Sequence, residues 1–106
     1  MRDALSIANS ELVGVRATGE RIKISLRIGE PYERGGETPY WSCPISLEPL
    51  YSELADQAGV DSFQALCLAS RLAITLLAGF KDDGGMLFFP DGTEFPLDSY
   101  ASLKKT

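Results

Sequence analysis

The residues that could do chemistry in this chain are limited first by one that is missing. None of the 106 residues is histidine. Histidine is the usual general base near neutral pH, the partner of serine and cysteine nucleophiles, and the commonest metal ligand. What remains is carboxylate chemistry, a lysine or thiol nucleophile, or binding without catalysis. The sequence therefore predicts no catalytic residue, no metal site and no cofactor.

The thiols and the clustered carboxylates have plain structural explanations. Cys43 precedes a proline in a predicted strand and Cys67 lies in an apolar helical stretch, so both are expected to be reduced, structural thiols. Glu33 and Glu37 could serve a carboxylate-based hydrolase if they lined a cleft. Neither their loop nor Asp82-Asp83 has the spacing of a calcium site, and solvated turns are the simpler interpretation.

The loop over residues 30–41 is the most unusual candidate surface. It places aromatic residues close to an arginine and two glycines, a composition that is favoured where proteins bind each other. The candidate interaction residues are Tyr32, Arg34, Tyr40 and Trp41. The alternative is that Trp41 and one tyrosine pack on a sheet edge while the rest of the loop is solvated.

Net charge and apolar patterning limit the partners and the location. With 10 Lys and Arg against 15 Asp and Glu, the net charge is −5. Nucleic acid is disfavoured, because binding to its phosphates is driven by basic residues. The first 15 residues hold no continuous apolar core for an export signal, and the apolar stretch 63–80 has Arg71 at its middle, which favours a buried helix over a membrane span. We expect a cytoplasmic protein that binds another protein or a second copy of itself.

Alternation of apolar and polar residues predicts the first three strands. Residues 5–15 favour a first strand, and residues 21–28 alternate cleanly, with three isoleucines and Leu26 on one face. A third strand, over residues 40–45, is expected to pair with the second across the long loop. Pro44 cannot donate to a ladder, so it marks an edge or a bulge.

Two helices are predicted after these strands. Leucines at 47, 50 and 54 and Ala58 recur at helical spacing, which indicates a short helix over residues 47–58, with Gly59 as its stop. The second helix, over residues 62–78, has Asp61 as N-cap, Gln64 to return the capping bond, and Gly79 as a stop.

A row of alanines runs along the second predicted helix. Ala65, Ala69 and Ala73 recur at every fourth residue, so they lie on one flank. Such small side chains let another backbone approach closely. The covering element could be the short helix, the C-terminal segment or another subunit.

The remaining residues complete an α+β pattern. Residues 86–89 and 94–97 predict two short strands joined by the turn Pro90-Asp91-Gly92. The order β-β-β-(short α)-α-β-β indicates a mostly antiparallel sheet of about four to five strands with one long helix on one face. The length fits a single domain over residues 1–106, with residues 101–106 frayed.

Three segments of the sequence together resemble a known family. They are Gly-Val-Asp-Ser-Phe-Gln-Ala-Leu at 59–66, the tryptophan strand at 40–43, and Phe-Pro-Asp-Gly at 89–92. With them the chain is similar, over most of its length, to a family of small bacterial domains of unknown function. The resemblance implies a bacterial source and a compact α+β fold. It carries over no catalytic or binding residue.

Three functional hypotheses are compatible with these patterns. The first is a non-enzymatic interaction protein, regulatory or immunity-like, whose acidic surface masks a basic site on another protein. The second is a homodimer packed through the alanine flank, with a pocket for a small ligand. The third is the carboxylate-based hydrolase with Glu33 and Glu37. The sequence names no partner, ligand or substrate.

Overall fold

Two antiparallel sheets and one long helix form the framework of the chain. A computed structural model describes residues 6–100. The strands are β1 (Ser6–Val15), β2 (Arg21–Gly29), β3 (Tyr32–Arg34), β4 (Tyr40–Cys43), β5 (Ile45–Glu48), β6 (Gln57–Gly59) and β7 (Met86–Phe88), and the helices are α1 (Ser62–Asp82) and α2 (Leu97–Tyr100). The larger sheet has the order β5-β2-β1-β7 and the smaller one β3-β4-β6. The α+β class is confirmed, although the described residues form seven strands in two sheets rather than four to five in one.

The first two strands form the centre of the larger sheet. They pair antiparallel from Ser6 opposite Gly29 to Val15 opposite Arg21, with a register shift between Ser6 and Ala8. In β2, Ile24 and Ile28 are buried, while the basic residues Arg21, Lys23 and Arg27 are exposed. The alternation predicted for this strand is confirmed, because one face of the sheet packs on the core and the other faces water. Residue 5, included in the predicted first strand, lies outside the described residues.

Pro44 divides the predicted third strand between the two sheets. Strand β4 before it pairs with β3 in the smaller sheet, and β5 after it pairs with β2 in the larger one. Pro44 carries no amide hydrogen, but its carbonyl accepts a hydrogen bond of 2.9 Å from the Gly29 amide. The expected hairpin is therefore one long hairpin whose two arms change sheets together, at Gly29 and Pro44.

The short helix predicted over residues 47–58 is wrong. Leu47 belongs to β5, its carbonyl accepts from the Tyr51 amide at 2.9 Å, and Gln57–Gly59 forms β6. Leu47 is fully buried, and Leu50 and Leu54 pack against the same core from the connecting loop. A loop that returns repeatedly to one core thus reproduces the apolar spacing of a helix.

The predicted start of α1 is confirmed in detail. The Asp61 carboxylate accepts a hydrogen bond from the Gln64 amide at 2.8 Å, and the Gln64 side chain accepts from the Val60 amide at 2.7 Å. The predicted end is wrong, because the helix passes through Gly79 and continues to Asp82. The extra turn carries Phe80 into the core.

Removing the N-cap should weaken α1 measurably. We expect Asp61→Ala to lower the free energy of unfolding by about 1 kcal/mol, because the Gln64 amide loses its acceptor. Asp61→Asn keeps an acceptor oxygen and should stay close to the natural protein. Urea unfolding followed by circular dichroism measures both variants, and equal losses for the two would contradict the capping role.

The alanine row of α1 faces the interior of this chain. Ala65, Ala69 and Ala73 are buried and pack with Cys43 of β4, and β6 lies against the start of the helix. The element that approaches closely along the small side chains is therefore the smaller sheet. It is neither a short helix nor the C-terminal segment. A homodimer packed through this flank is excluded, because the flank is already covered.

Helix α1 joins two adjoining core clusters. Its alanines meet Ile28 and Ile45 in one cluster, and Leu77 and Phe80 meet residues of β1, β2, β5 and β7 in the other. By length and composition α1 could cross a membrane, and among residues 6–100 it is the one helix that could. Core helices pass the same test, and here one side of α1 packs against both sheets.

The C-terminal turn is confirmed, but the strand expected after it is not. Gly92 has a φ of 94° and donates to the Phe89 carbonyl at 2.9 Å. The amide and hydroxyl of Thr93 donate to the Asp91 carboxylate, and these hydrogen bonds lower the pKa of Asp91. Beyond the turn only a single bridge, Phe88 to Glu94, continues the pairing. Leu97 already begins α2. The fraying expected for 101–106 lies outside the described residues.

Candidate functional site

Three of the predicted interaction residues share the outer face of the smaller sheet. In the β3–β4 pairing Arg34 lies opposite Tyr40, and Tyr32 lies two positions before Arg34 on the same strand. Side chains alternate along a strand. The Cys43 side chain and the Cβ position of Gly59, both in the same sheet, are directed toward α1. Tyr32, Arg34 and Tyr40 therefore face away from the helix. We call these three residues the hairpin face.

The guanidinium of Arg34 is held between the two tyrosines. Its Nε–H donates to the Tyr40 hydroxyl at 2.9 Å, and an Nη1–H donates to the Tyr32 hydroxyl at 3.2 Å. Its Cζ lies 5.6 Å from the Tyr32 ring centroid and 5.7 Å from that of Tyr40. The hydrogen bond to Tyr40 raises the pKa of Arg34 above its usual value, so the group carries its charge throughout the physiological range.

Asp56 anchors the hairpin face to the loop before β6. The Tyr32 hydroxyl donates a hydrogen bond to the half-buried Asp56 carboxylate. Asp56 also lines a cleft of about 580 Å³ between the end of β2, β5 and the loop, together with Arg27, Glu48 and Glu53. No sequence signal points to Asp56, because its partner Tyr32 is 24 residues away and no local motif connects the two.

Trp41 lies on the opposite face of the sheet from the other three candidates. It is half-buried and packs against the cluster that contains Cys43 and Ala65. This position matches the alternative in which the tryptophan packs on the sheet. The structure thus brings together Tyr32, Arg34 and Tyr40 and separates Trp41 from them.

The glutamates considered for hydrolysis do not line a cleft. Glu33 and Glu37 are exposed, and neither contributes to the 580 Å³ cleft or to a second groove beside β1. Glu33 lies opposite Trp41 in the β3–β4 register, on the face away from Arg34. Among residues 6–100 no group of three or more acidic or cysteine side chains is placed to hold a metal ion.

Both cysteines are free. Cys43 is buried, and its thiol donates to the Gly29 carbonyl at 3.4 Å. Burial, with a smaller effect from the negative charge of Asp56, raises the pKa of the Cys43 thiol. The group is therefore protonated at neutral pH and is not a ready nucleophile.

Comparison with known proteins places the chain in a family. A family model described as a domain of unknown function (DUF6968) matches residues 11–97. The chain belongs to the DUF6968 family. The match runs from within β1 to the first residue of α2 and so includes the whole hairpin face. The resemblance to a domain of unknown function is confirmed, and the bacterial source stays a prediction. No curated protein and no solved structure matches this DUF6968 chain.

Proposed function

We propose that this DUF6968 domain is a non-enzymatic binding protein that docks through its hairpin face onto a basic surface of another protein. The observation that supports the proposal is the arrangement of Arg34 between Tyr32 and Tyr40. Tyrosine and arginine are the residue types that contribute most to binding at protein interfaces. Here they form one connected group on an outward surface.

The hairpin face is ordered before any partner arrives. Arg34 is exposed, yet two hydrogen bonds fix its guanidinium, and Tyr32 is tied in turn to Asp56. Long side chains on a surface lose rotamer freedom when they bind, and this loss reduces affinity. A group that is already fixed loses less, so the contacts it makes with a partner contribute more of their energy to binding.

The charge of this loop and of the whole chain favours a basic partner. From Glu30 to Tyr40 the chain has three glutamates and one arginine, a net charge of −2, within a chain of net charge −5. Complementary charge speeds encounter and selects partners, and its effect falls as salt screens it. An acidic chain that presents a fixed tyrosine–arginine group suits a protein that masks a basic site, as immunity proteins do.

Variants of Tyr40 and Tyr51 test the proposal with a matched control. Tyr40 is 38% exposed and Tyr51 40%, so truncation removes a similar exposed ring in each case. The tagged protein should retain a stoichiometric partner from its native cell extract at low salt and lose it as salt rises. We expect Tyr40→Ala and Arg34→Ala each to weaken that binding by about 30-fold, or about 2 kcal/mol, and Tyr51→Ala to leave it unchanged. Binding of the purified partner to each variant is measured by calorimetry.

Two results would reject the proposal. One is a partner that binds Tyr40→Ala and Tyr51→Ala equally well, since the hairpin face would then not be the contact surface. The other is binding that does not change with salt, since a basic partner surface would then not be required. Circular dichroism of each variant separates lost binding from lost folding.

A further inference from the structure

The cleft of about 580 Å³ opens on the outer face of the larger sheet. In β5, Ile45 and Leu47 are buried, so Ser46 and Glu48, which alternate with them, lie on the opposite face. In the β2–β5 register Arg27 lies opposite Ser46 and shares that face. The loop before β6 forms the other wall of the cleft. The cleft is therefore accessible from the side of the sheet that faces away from the core.

Asp56 connects this cleft to the hairpin face. Its carboxylate lines the cleft and accepts a hydrogen bond from the Tyr32 hydroxyl. The same hydroxyl accepts a hydrogen bond from Arg34. Two hydrogen bonds thus lead from Arg34 to the wall of the cleft. A partner that contacts the hairpin face is brought next to the cleft as well.

The charge of the cleft favours a cation. Three carboxylates line it, those of Glu48, Glu53 and Asp56, against the one guanidinium of Arg27. Arg27 already lies 3.7 Å from the carboxylate of Glu11, which partly balances its charge. Within residues 6–100, Glu48 and Glu53 take part in no ion pair. The cleft therefore has negative charge that the described chain does not neutralise.

The cleft also has an apolar wall, to which Pro44, Ile45 and Leu54 contribute. A lysine side chain packs its methylene stem along apolar surface and keeps its ammonium group among polar groups. The carboxylates of Glu48 and Glu53 come from different elements, β5 and the loop. This placement suits an ammonium group, whose three donors point in separate directions, better than the planar fork of arginine, which pairs best with a single carboxylate.

We propose that the cleft receives a lysine side chain of the partner protein, whose ammonium group lies between Glu48 and Glu53. This inference rests on the proposed function, because contact with the hairpin face brings the partner to the cleft. It adds a second contact with a different task. The tyrosine–arginine group supplies a fixed contact surface, and the cleft selects a partner that presents a lysine beside that surface.

A lysine probe tests the cleft without the partner. Nα-acetyl-lysine amide is titrated into the isotope-labelled protein, and the amide resonances are followed by NMR. We expect saturable shifts at residues 46–48 and 52–56, with a dissociation constant in the millimolar range, as befits a small ligand. Nα-acetyl-norleucine amide, which has a similar stem and no ammonium group, should give none. Glu48→Gln/Glu53→Gln should weaken binding of the lysine probe by about tenfold, since two exposed charges are removed.

Three results of this titration would overturn the proposal. One is a lysine probe that gives no saturable shift at the cleft. The second is a norleucine probe that binds there equally well, since the ammonium group would then not be recognised. The third is a Glu48→Gln/Glu53→Gln protein that binds the lysine probe as the natural chain does. The amide spectrum of the double variant shows directly whether it is folded.

Binding of the purified partner separates the cleft from the hairpin face. We expect Glu48→Gln/Glu53→Gln to weaken it by about tenfold. Asp82→Asn/Glu94→Gln is the control, because it removes two charges from exposed positions near β7, at the opposite edge of the larger sheet from β5. A partner that is lost with Tyr40→Ala but binds the cleft variant as it binds the natural chain would overturn this inference and leave the proposed function standing. If the lysine probe titrates the cleft and the partner still binds Tyr40→Ala, the hairpin face is rejected and the cleft is supported.

Discussion

The Gly59→Ala variant is expected to lose about 3 kcal/mol or more of its free energy of unfolding. A Cβ atom at position 59 would lie 2.5 Å from the backbone nitrogen of Ala65 and 2.9 Å from the carbonyl carbon of Gln64. Both atoms belong to the helix backbone, so no side-chain rotation can relieve the overlap. Strand β6 and the first turn of α1 would have to separate, at the contact where the helix meets the smaller sheet.

A second glycine supplies the control for this prediction. Gly79 lies within α1, and a Cβ atom there would meet nothing within 4 Å. Gly79→Ala should therefore stabilise the protein by about 1 kcal/mol, because alanine loses less conformational freedom in a helix than glycine does. Urea unfolding of the two variants should give changes of opposite sign. If Gly59→Ala is as stable as the natural chain, α1 and β6 do not make the close contact described here.

The two glycines also show how far the sequence alone can be interpreted. The sequence predicts a helix stop at both glycines, because glycine near the end of a helical pattern commonly has that role. Neither has it in the structure. Gly59 lies in a strand at a close approach to a helix, and Gly79 lies within one. A close approach between two backbones depends on residues far from the glycine itself, and no local pattern reports it.

The features that the sequence predicted correctly are set by neighbouring residues. The alternation of β2 needs only residues 21–29, the start of α1 needs only Asp61 and Gln64, and the turn at residues 89–92 needs only its own glycine. Each has a physical cause that acts over a few positions. Local sequence therefore accounts for the central strand, the main helix and the α+β class.

The features that the sequence does not predict depend on which distant parts of the chain meet in the fold. The division of one strand between two sheets at Pro44 is fixed by Gly29, 15 residues earlier in the chain. The loop that imitated a helix owes its leucine spacing to a core assembled from many elements. In the hairpin face, the residue types were predictable, but the separation of Trp41 from it and the link from Tyr32 to Asp56 required the register of the smaller sheet.

The Ala69→Leu variant should be destabilised by about 3 kcal/mol, because the alanine row has no space for a larger side chain. Ala69 is fully buried and packs with Cys43 of β4 and Ile45 of β5, in the cluster that also contains Ile28. Leucine adds three carbon atoms at a place where helix and sheet are already in contact. Either the helix moves away from the smaller sheet, or the side chain takes a strained conformation.

This variant also distinguishes the structure from the dimer that the sequence first suggested. If the alanine row faced a second copy, Ala69→Leu would weaken dimerisation and leave the folded monomer as stable as before. Because the row faces the smaller sheet, we expect the free energy of unfolding to fall instead, at every protein concentration. Thr75→Leu is the control, since Thr75 is exposed on α1 and a leucine there should change stability little. A concentration-dependent effect of Ala69→Leu, with unfolding unchanged in dilute protein, would show that the alanines contact another subunit.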